Sequence, residues 1–417
     1  MKKVLLSSLL MTGSLWAACP SGTTSLGLTN KTERCALKGK YLSTQITLTA
    51  KNEYVLQDGV FIGGDNEQSS KLYIEAGTKI LGLPGSFLVV MRGSQIYAQG
   101  TATKPIVFTS AQAEPKRGDW GGLVLNGNAP INACAQGATV CEAISEGIKV
   151  EAVKFGGNNP TDNSGVIKYA RFEYGGYPIS PDNELNGITF NGVGNKTLID
   201  YVQVHRNSDD GVEFFGGTVD VKHLVLTENE DDSLDWDMGW VGRAQYLLMV
   251  QANDIADNGI EADNLKSPMN ALPRSNPTIS NMTIIGSPKS GYGMLLRRGT
   301  SASIMNSIVA GSGKGCVDID DNETFKNNGV KITSTLFQCA KNFELEAGDL
   351  WSTEDLIKTD KTNLLMSADL NKHLPTATSP IFNKTTISDD LFFDEVSYIG
   401  AIESAKQDWT KGWTVGL

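Results

Sequence analysis

Basic residues are in deficit in this 417-residue chain, where 36 Lys and Arg face 47 Asp and Glu, for a net charge of −11. This deficit argues against nucleic acid as a partner, because phosphate binding depends on Lys and Arg. It favours cations or neutral ligands, although an acidic surface also serves solubility alone. Beyond the N-terminus no segment approaches the run of about 18 apolar residues that a spanning helix needs, so no membrane span is predicted.

Several catalytic motifs are also missing. The chain has no phosphate-binding glycine loop, no GxSxG, no HExxH, no CxxC and no cysteine–histidine zinc pattern. Its three histidines are His205, His223 and His373, and we interpret His205, which lies before the first acidic turn, as structural. The chemistry of a site must therefore come from other residue types.

The first 18 residues have the organisation of a secretory signal peptide. Lys2 and Lys3 form a basic start, an apolar run continues to Leu15, and small residues Ala17 and Ala18 follow. This organisation predicts an exported protein that is periplasmic, on the outer surface or extracellular.

Six cysteines fall into three pairs that are local in sequence. The simplest pairing joins Cys19 to Cys35, Cys134 to Cys141, and Cys316 to Cys339, and disulfides agree with export. A metal site is the alternative for these cysteines. Lipidation is a second alternative for Cys19, although Trp16 stands where a lipobox has Leu.

Two windows of the chain repeat each other almost position for position. VQVHRNSDDGVEFFGG (202–217) matches LVLTENEDDSLDWDMG (224–239) at an offset of 22 residues, and NDIADNGIEAD (253–263) is a weaker third copy. Short apolar strands between polar turns at such a period indicate a solenoid. Six positions should face its core, namely Ile188, Val212, Leu234, Ile260, Met294 and Val317.

Strand patterns outweigh helix patterns, and we predict an all-β, right-handed parallel β-helix with N- and C-terminal caps. A leucine-rich repeat is excluded because no LxxLxLxxN pattern recurs. The boundaries expected after the signal peptide are an N-terminal cap at 19–45, a β-helix at 46–340, and C-terminal coils and cap at 341–417. Polar stretches near 133–165 and 265–277 are interpreted as loop insertions.

Four stretches resemble one family of secreted bacterial proteins. They are GDWGGLVLNGNAPIN (118–132), SPDNELNGITFNGVG (180–194), the first repeat window, and the C-terminal YIGA…DWTKGWT (398–414). That family is pectin-lyase-like, and its activity is largely unassigned. The resemblance implies a right-handed parallel β-helix and export.

Stacking the coils also stacks acidic residues. Alternation in a strand places Glu213, Asp235 and Glu261 outward, in coils about 4.8 Å apart. Asp237 and Asp263 follow just after the strands. A second row in the preceding turn contains Asp209, Asp210, Asp231, Asp232 and Asp257.

Repulsion in such rows costs about 1 kcal/mol per adjacent pair even in water, so it must be compensated. Protonation is one remedy, and arginine is another, with Arg206, Arg243, Arg297 and Arg298 as candidates. Bound Ca²⁺ is the third, because it prefers several carboxylate oxygens. We expect Glu213, Asp235, Glu261, Asp237 and Asp263 to be its ligands, whereas Asn207 and Asn229 are interpreted as turn residues.

Three functions remain open. The first is an exported protein that contacts a polysaccharide or cell-surface component, with Trp240, Phe215 and Tyr177 as aromatic ligand contacts beside a Ca²⁺ site. The second is an enzyme at the same rows. Similarity to enzymes of this fold offers two versions: a Ca²⁺-dependent lyase with Arg297 as base, or a polygalacturonase-like hydrolase using Asp210, Asp231 and Asp232. SGYGMLLRRG (290–299) departs from the motifs of such hydrolases. The third is a structural or adhesive surface protein.

Overall fold

The computed structural model describes residues 18–148, 153–180, 183–346, 348, 352–382, 385–386 and 389–417. The predicted signal peptide therefore lies, except for Ala18, outside the described residues.

The described chain forms short strands separated by turns rich in Gly, Asn and Asp. In chain order the strands are β1 Thr24–Thr29, β2 Thr32–Tyr41, β3 Gln45–Leu48, β4 Asn52–Ile62, β5 Lys71–Ile74, β6 Lys79–Gly82, β7 Phe87–Val90, β8 Gln95–Gln99, β9 Ile106–Ser110, β10 Leu123–Asn126, β11 Ala143–Ile144, β12 Lys154–Phe155, β13 Gly165–Glu173, β14 Pro178–Ser180, β15 Asn183–Glu184, β16 Ile188–Asn191, β17 Leu198–His205, β18 Val212–Phe215, β19 Asp220–Thr227, β20 Leu234–Asp237, β21 Arg243–Val250, β22 Ile260–Ala262, β23 Thr278–Ile285, β24 Tyr292–Leu296, β25 Ala302–Met305, β26 Ile308–Ala310, β27 Gly315–Ile319, β28 Val330–Thr333, β29 Leu336–Gln338, β30 Leu364–Leu365, β31 Leu370–Asn371 and β32 Leu374–Pro375. The helices are α1 Asn322–Lys326 and α2 Thr353–Thr359, with a 3₁₀ turn at Pro380–Phe382.

Parallel pairing between successive coils arranges the strands in three faces of one right-handed parallel β-helix, which confirms the predicted fold. We call these faces sheets A, B and C. Sheet A runs through β6, β9 and β26, and sheet C through β5, β8 and β25. Sheet B is formed by the second halves of β2 and β4 and then by β7, β10, β16, β18, β20, β22, β24 and β27.

Each of the long strands β13, β17, β19 and β21 contributes to two sheets. Each bends at one residue whose backbone is in the left-handed region. Tyr169, Tyr201, His223 and Tyr246 have φ between 48° and 63°, and there the chain passes from sheet C to sheet A. Their rings stack along the outer corner, with 4.3 Å between the centroids of Tyr169 and Tyr201. The residues that adopt this unfavourable backbone conformation therefore also contact one another through their stacked rings.

The core is a narrow apolar column inside the helix. The six predicted core positions are all fully buried, which confirms the alternation in the repeats. Aromatic rings stack on successive coils, such as Phe190 on Phe214 with 5.0 Å between centroids, and Phe214 on Trp240 at 4.0 Å. The three predicted disulfides are all present, so Cys19 is bonded to Cys35.

The ends differ from the expected boundaries. The first parallel pairing begins at Glu33 in β2, inside the segment assigned to the N-terminal cap, while β1 pairs antiparallel with β2. The C-terminal segment 389–417 does more than close the end, because it returns along the outside of the helix. There the side chain of Gln203 hydrogen-bonds both backbone groups of Val415, and that of Gln245 does the same with Asp394.

In the 133–165 stretch, interpreted from the sequence as an insertion, β13 begins at the last residue, Gly165, and residues 149–152 lie outside the described chain. Its strands β11 and β12 pair antiparallel with each other. Arg92 anchors this insertion, because its buried guanidinium binds Asp65, Glu142 and the backbone oxygen of Gly156. The insertion is thereby held over sheet B.

Candidate functional site

One column of outward side chains on sheet B, here called the central column, is apolar in the first coils of the helix and acidic in later ones. Its members in register are Phe61, Val89, Val124, Thr189, Glu213, Asp235, Glu261, Leu295 and Asp318. Parallel in-register pairing converts the repeat period into a vertical row, as the sequence predicted for Glu213, Asp235 and Glu261. Leu295 separates these three acids from Asp318, which is buried.

A second column lies in the turn before sheet B and contains Asn186, Asp210, Asp232 and Asn258. The Oδ1 atom of Asp210 accepts a hydrogen bond from the backbone N–H of Asp232 at 3.0 Å, and Oδ1 of Asp232 accepts one from Asn258 at 2.6 Å. Both aspartates are buried. Asp210 and Asp232 were proposed as catalytic groups of a hydrolase. In the structure one carboxylate oxygen of each instead accepts a hydrogen bond that links neighbouring turns.

The two columns and their neighbours form one cluster, which we call the acidic ladder: Asp209, Asp210, Glu213, Asp231, Asp232, Asp235, Asp257 and Glu261. Their carboxylates make four overlapping groups of three, and within each group the oxygens lie within 4.8 Å of one another. Asp210, Glu213 and Asp235 form one such group, while Asp232, Asp235 and Glu261 form the next. Asp235 thus belongs to both, and oxygen sets of this kind suit a hard divalent cation.

Burial and mutual repulsion make the acids of the ladder hard to ionise. Burial, together with the charge of Asp231, raises the pKa of Asp209 to about 7. Burial also raises the pKa of Glu261 to about 7, although Arg297 opposes the shift. The pKa of Glu213 and of Asp235 is raised well above the ordinary carboxyl value, by burial first and then by neighbouring acids. Without a bound cation, protonation compensates part of the repulsion.

Arginines compensate one end of the ladder. Arg297 pairs with Glu261 and with Asp263, the latter at 2.9 Å, and Arg298 pairs with Asp263 at 2.6 Å. The other two candidates are engaged elsewhere, since Arg206 pairs with Glu228 and Arg243 with Asp220 and Asp390.

Arg297 is poorly suited to the role of a general base. Burial opposes its charge, but Asp263 and Glu261 more than offset that effect and raise the pKa of the guanidinium. A base must give up its proton near neutral pH, and these ion pairs hold the proton on Arg297. The contacts therefore favour a role in charge compensation.

Two buried oxygen atoms, Oδ1 of Asp235 in the ladder and Oδ1 of Asn186 beside it, have no hydrogen-bond donor among the described residues. The side chain of Asn186 is aimed at the ladder, because its Nδ2 donates to Glu213 at 2.6 Å, and the residue is only 5% exposed. A buried oxygen without a hydrogen-bond donor lowers the stability of the folded state by about 1–3 kcal/mol, so a ligand that contacts either atom would recover part of this energy. Sequence reasoning missed Asn186, although NGIT (186–189) aligns with DGVE (210–213).

Asp263 directly follows β22, whereas Asp237, which was expected just after its strand, is the last residue of β20. Burial raises the pKa of Asp237 to about 7. A pocket of about 260 Å³ is lined by Met238, the residue after Asp237, and by Ile144, Glu146, Phe155 and Phe215. Glu146 comes from the 133–165 insertion, and no sequence pattern predicted its position.

A second cleft, of about 560 Å³, lies between the two predicted insertions. One wall is formed by Asn132, Ala133 and Cys134, and the other by residues 265–272. The side chain of Asn132 joins the walls through hydrogen bonds to Asn264 and to the backbone oxygen of Pro273. The insertions therefore border the same region of sheet B.

The aromatic predictions are wrong in part. Trp240 is fully buried and stacked on Phe214, so it presents no face to a ligand. Tyr177 is partly exposed but lies near Gly85, on coils before the ladder. Phe215 is 6% exposed and borders the 260 Å³ pocket, so it alone of the three lies at the site. Sequence alternation could not show which ring another segment covers.

His205 is buried, and its Nδ1 lies 2.8 Å from the hydroxyl of Thr227. Among the described residues, no helix is long and apolar enough to cross a membrane.

Comparison with known proteins places the chain in a family. No curated protein and no solved structure matches it. Residues 39–414, by contrast, match the family described as a pectate-lyase-like β-helix domain. This family suggests a glycan-related function, and together with the three disulfides it points to an extracellular protein. The parallel sheets and this match lead to one conclusion: the chain belongs to the pectate-lyase-like β-helix family.

Proposed function

We propose that this is an exported glycan-binding protein whose acidic ladder holds Ca²⁺. The observation that carries the proposal is the set of four overlapping carboxylate groups, in which Oδ1 of Asp235, and beside which Oδ1 of Asn186, is buried with no donor among the described residues. The two nearby arginines engage only Glu261 among the ladder acids. A divalent cation would relieve the remaining repulsion and give both oxygens a partner.

The first experiment measures thermal unfolding of the mature protein in EDTA and then with added Ca²⁺. Ligand binding to the folded state alone stabilises by about 2.7 kcal/mol at a concentration of 100 Kd. We therefore expect a Ca²⁺-reversible rise in Tm, with Mg²⁺ less effective because it demands a stricter octahedron. An unchanged Tm, together with no heat of Ca²⁺ binding by calorimetry, would refute the site.

Asp235→Asn separates a cation site from a structural role. The amide removes one charge that both central groups share, so the apo protein should become more stable while Ca²⁺ stabilisation is largely lost. A merely structural Asp235 would instead leave the Ca²⁺ response intact. Asp58→Asn is the matched control, because Asp58 is an exposed acid paired with Lys38, far along the helix from the ladder; its Ca²⁺ response should equal that of the unaltered protein.

One observation favours an enzyme as a second candidate. Asp209, Asp237 and Glu261 have pKa values raised to about 7, which suits a carboxyl group to proton transfer at neutral pH. A hydrolase or lyase would release reducing ends or unsaturated products from a glycan library. Activity abolished by Glu261→Gln but retained in Asp58→Asn would establish this candidate, and absence of product from the Ca²⁺-loaded protein would dismiss it.

A further inference from the structure

The region of the ladder is acidic out of proportion to the rest of the chain. Residues 206–263 contain fourteen acidic and three basic residues. The three basic side chains pair with acids outside the ladder: Arg206 with Glu228, Lys222 with Asp394, and Arg243 with Asp220. Within the described chain, compensation inside the ladder is therefore limited to the contact of Arg297 with Glu261.

The surroundings of the ladder extend the same sign of charge. Glu146 in the insertion lies close enough to contribute to the raised pKa of both Glu213 and Asp209, and Glu184 contributes to that of Asp209 and Asp231. Among the described residues of this insertion the basic side chain is Lys154, which is paired with Glu142, as is Arg92 of the helix beneath it. A ligand that approaches the ladder thus meets carboxylates from the helix and from the insertion above it.

Apolar surface lies next to this charge. The 260 Å³ pocket combines the carboxylate of Glu146 with Phe155, Phe215 and Met238. Aromatic and thioether groups beside carboxylates accommodate an alkylammonium group or the apolar face of a sugar, since a cation is attracted both by the acids and by ring faces.

A polyuronate fits this region poorly. Its carboxylates need cations with free coordination sites or unpaired guanidinium groups, whereas Arg297 and Arg298 are engaged with Glu261 and Asp263. Two bound divalent cations and both arginines carry six positive charges against ten acids, namely the eight of the ladder with Asp237 and Asp263, so protons or a cationic ligand must supply the rest. Like charges at such distances repel by about 1–4 kcal/mol per pair, depending on the local dielectric.

We infer that the glycan bound along the ladder carries amino groups, as in a glucosamine polymer, and that its ammonium groups pair with the carboxylates that Ca²⁺ leaves uncompensated. This inference rests on the proposed function, because it names the glycan of the same site. The unpaired Oδ1 of Asn186, 5% exposed and next to Glu213, is a further acceptor for a ligand N–H group or a direct ligand of the cation.

The test compares three hexasaccharides by isothermal titration calorimetry at about pH 6.5, with and without Ca²⁺: glucosamine, N-acetylglucosamine and galacturonate. The acetylated oligomer has the same backbone as the first but no charge. We expect the glucosamine oligomer to bind at least about tenfold more tightly than the acetylated one, and its affinity to fall as salt is raised. Equal affinity of these two oligomers, or tighter binding of galacturonate, would overturn the inference.

A variant of the insertion gives a second readout. Glu146→Gln should weaken the glucosamine oligomer severalfold with little effect on the acetylated one, whereas Asp58→Asn should change neither. An unchanged affinity of the glucosamine oligomer in Glu146→Gln would refute pairing at the ladder.

The two proposals fail in distinguishable ways. If Ca²⁺ raises Tm but the glucosamine oligomer shows no preference, the amino-glycan inference is wrong and the cation site stands. If the glucosamine oligomer binds in EDTA and Ca²⁺ has no effect on Tm, the cation site is wrong and the ladder recognises ammonium groups alone.

Discussion

The central column of sheet B has two halves with the same backbone and opposite outward chemistry. In the first half Phe61, Val89 and Val124 are buried beneath Ile148, Val153 and Leu185. In the second half Glu213, Asp235 and Glu261 occupy the same register and are partly buried. The inward side chains are apolar in both halves.

The comparison shows that the outer face of a β-helix is decided by what covers it. The strands repeat, so backbone hydrogen bonds and core contacts are equivalent along the column. In the first half the 133–165 insertion contributes apolar residues of its own, so the outward side chains beneath it are apolar and shielded from water. In the other half the carboxylates are crowded without an equal number of cations, and such crowding is retained only where a ligand or proton relieves it.

The largest effect is expected when an acid is moved into the apolar half. Val124 is 1% exposed, and Val124→Asp would bury a carboxyl group among apolar side chains. We expect a loss of about 3–5 kcal/mol in the free energy of unfolding, because the acid finds no partner there. Denaturant unfolding measures it. The matched change one coil later, Thr189→Asp beside Glu213, should cost less and increase the response to Ca²⁺; equal losses would contradict the contrast between the halves.

A smaller effect is expected from pH. The pKa values of Asp209, Asp237 and Glu261 are raised to about 7 in the folded protein, above their unfolded values. The folded state therefore binds more protons, so this contribution is fully present below about pH 4 and is lost as pH rises through about 7. After solvent screening we expect the three groups together to contribute about 2–3 kcal/mol.

Unfolding in EDTA at about pH 5.5 and pH 8 measures this dependence, with lower stability at the higher pH. Added Ca²⁺ should flatten the profile, because the cation replaces the protons. A profile that rises towards pH 8 in EDTA would show that the ladder carboxylates are stabilised as anions instead.

The smallest effect is expected from extending the ladder by one coil. Leu295 lies in register between Glu261 and Asp318 and is partly exposed. Leu295→Glu should lower stability in EDTA by about 1–2 kcal/mol, through added repulsion and lost apolar contact, and Ca²⁺ should restore part of it. Leu295→Gln is the control for shape, since it keeps the size without the charge. If the two variants respond alike to Ca²⁺, the column does not act as one site.

Much of the site could be predicted because the coils stack in register. A residue and its counterpart 22 positions later become neighbours, so Glu213 and Asp235 were assigned to one row from the sequence. The burial of Trp240 could not be predicted, since alternation is lost after the strand ends and Phe214 of the preceding coil covers the ring. The position of Glu146 depends on an insertion whose path no repeat describes.

The sequence by itself determined the parallel β-helix, its core positions and the vertical rows of acids, because each follows from a fixed period and an alternation of side chains. It favoured the three disulfide pairs because their cysteines lie close together in the chain. Only the tertiary structure decided which rows are covered. It buried Asp210 and Asp232 against backbone N–H groups and placed Arg297 on Glu261. It also left Oδ1 of Asn186 and of Asp235 with no donor in the part of the chain that the structure describes. These outcomes depend on contacts between segments far apart in sequence, which local patterns do not encode.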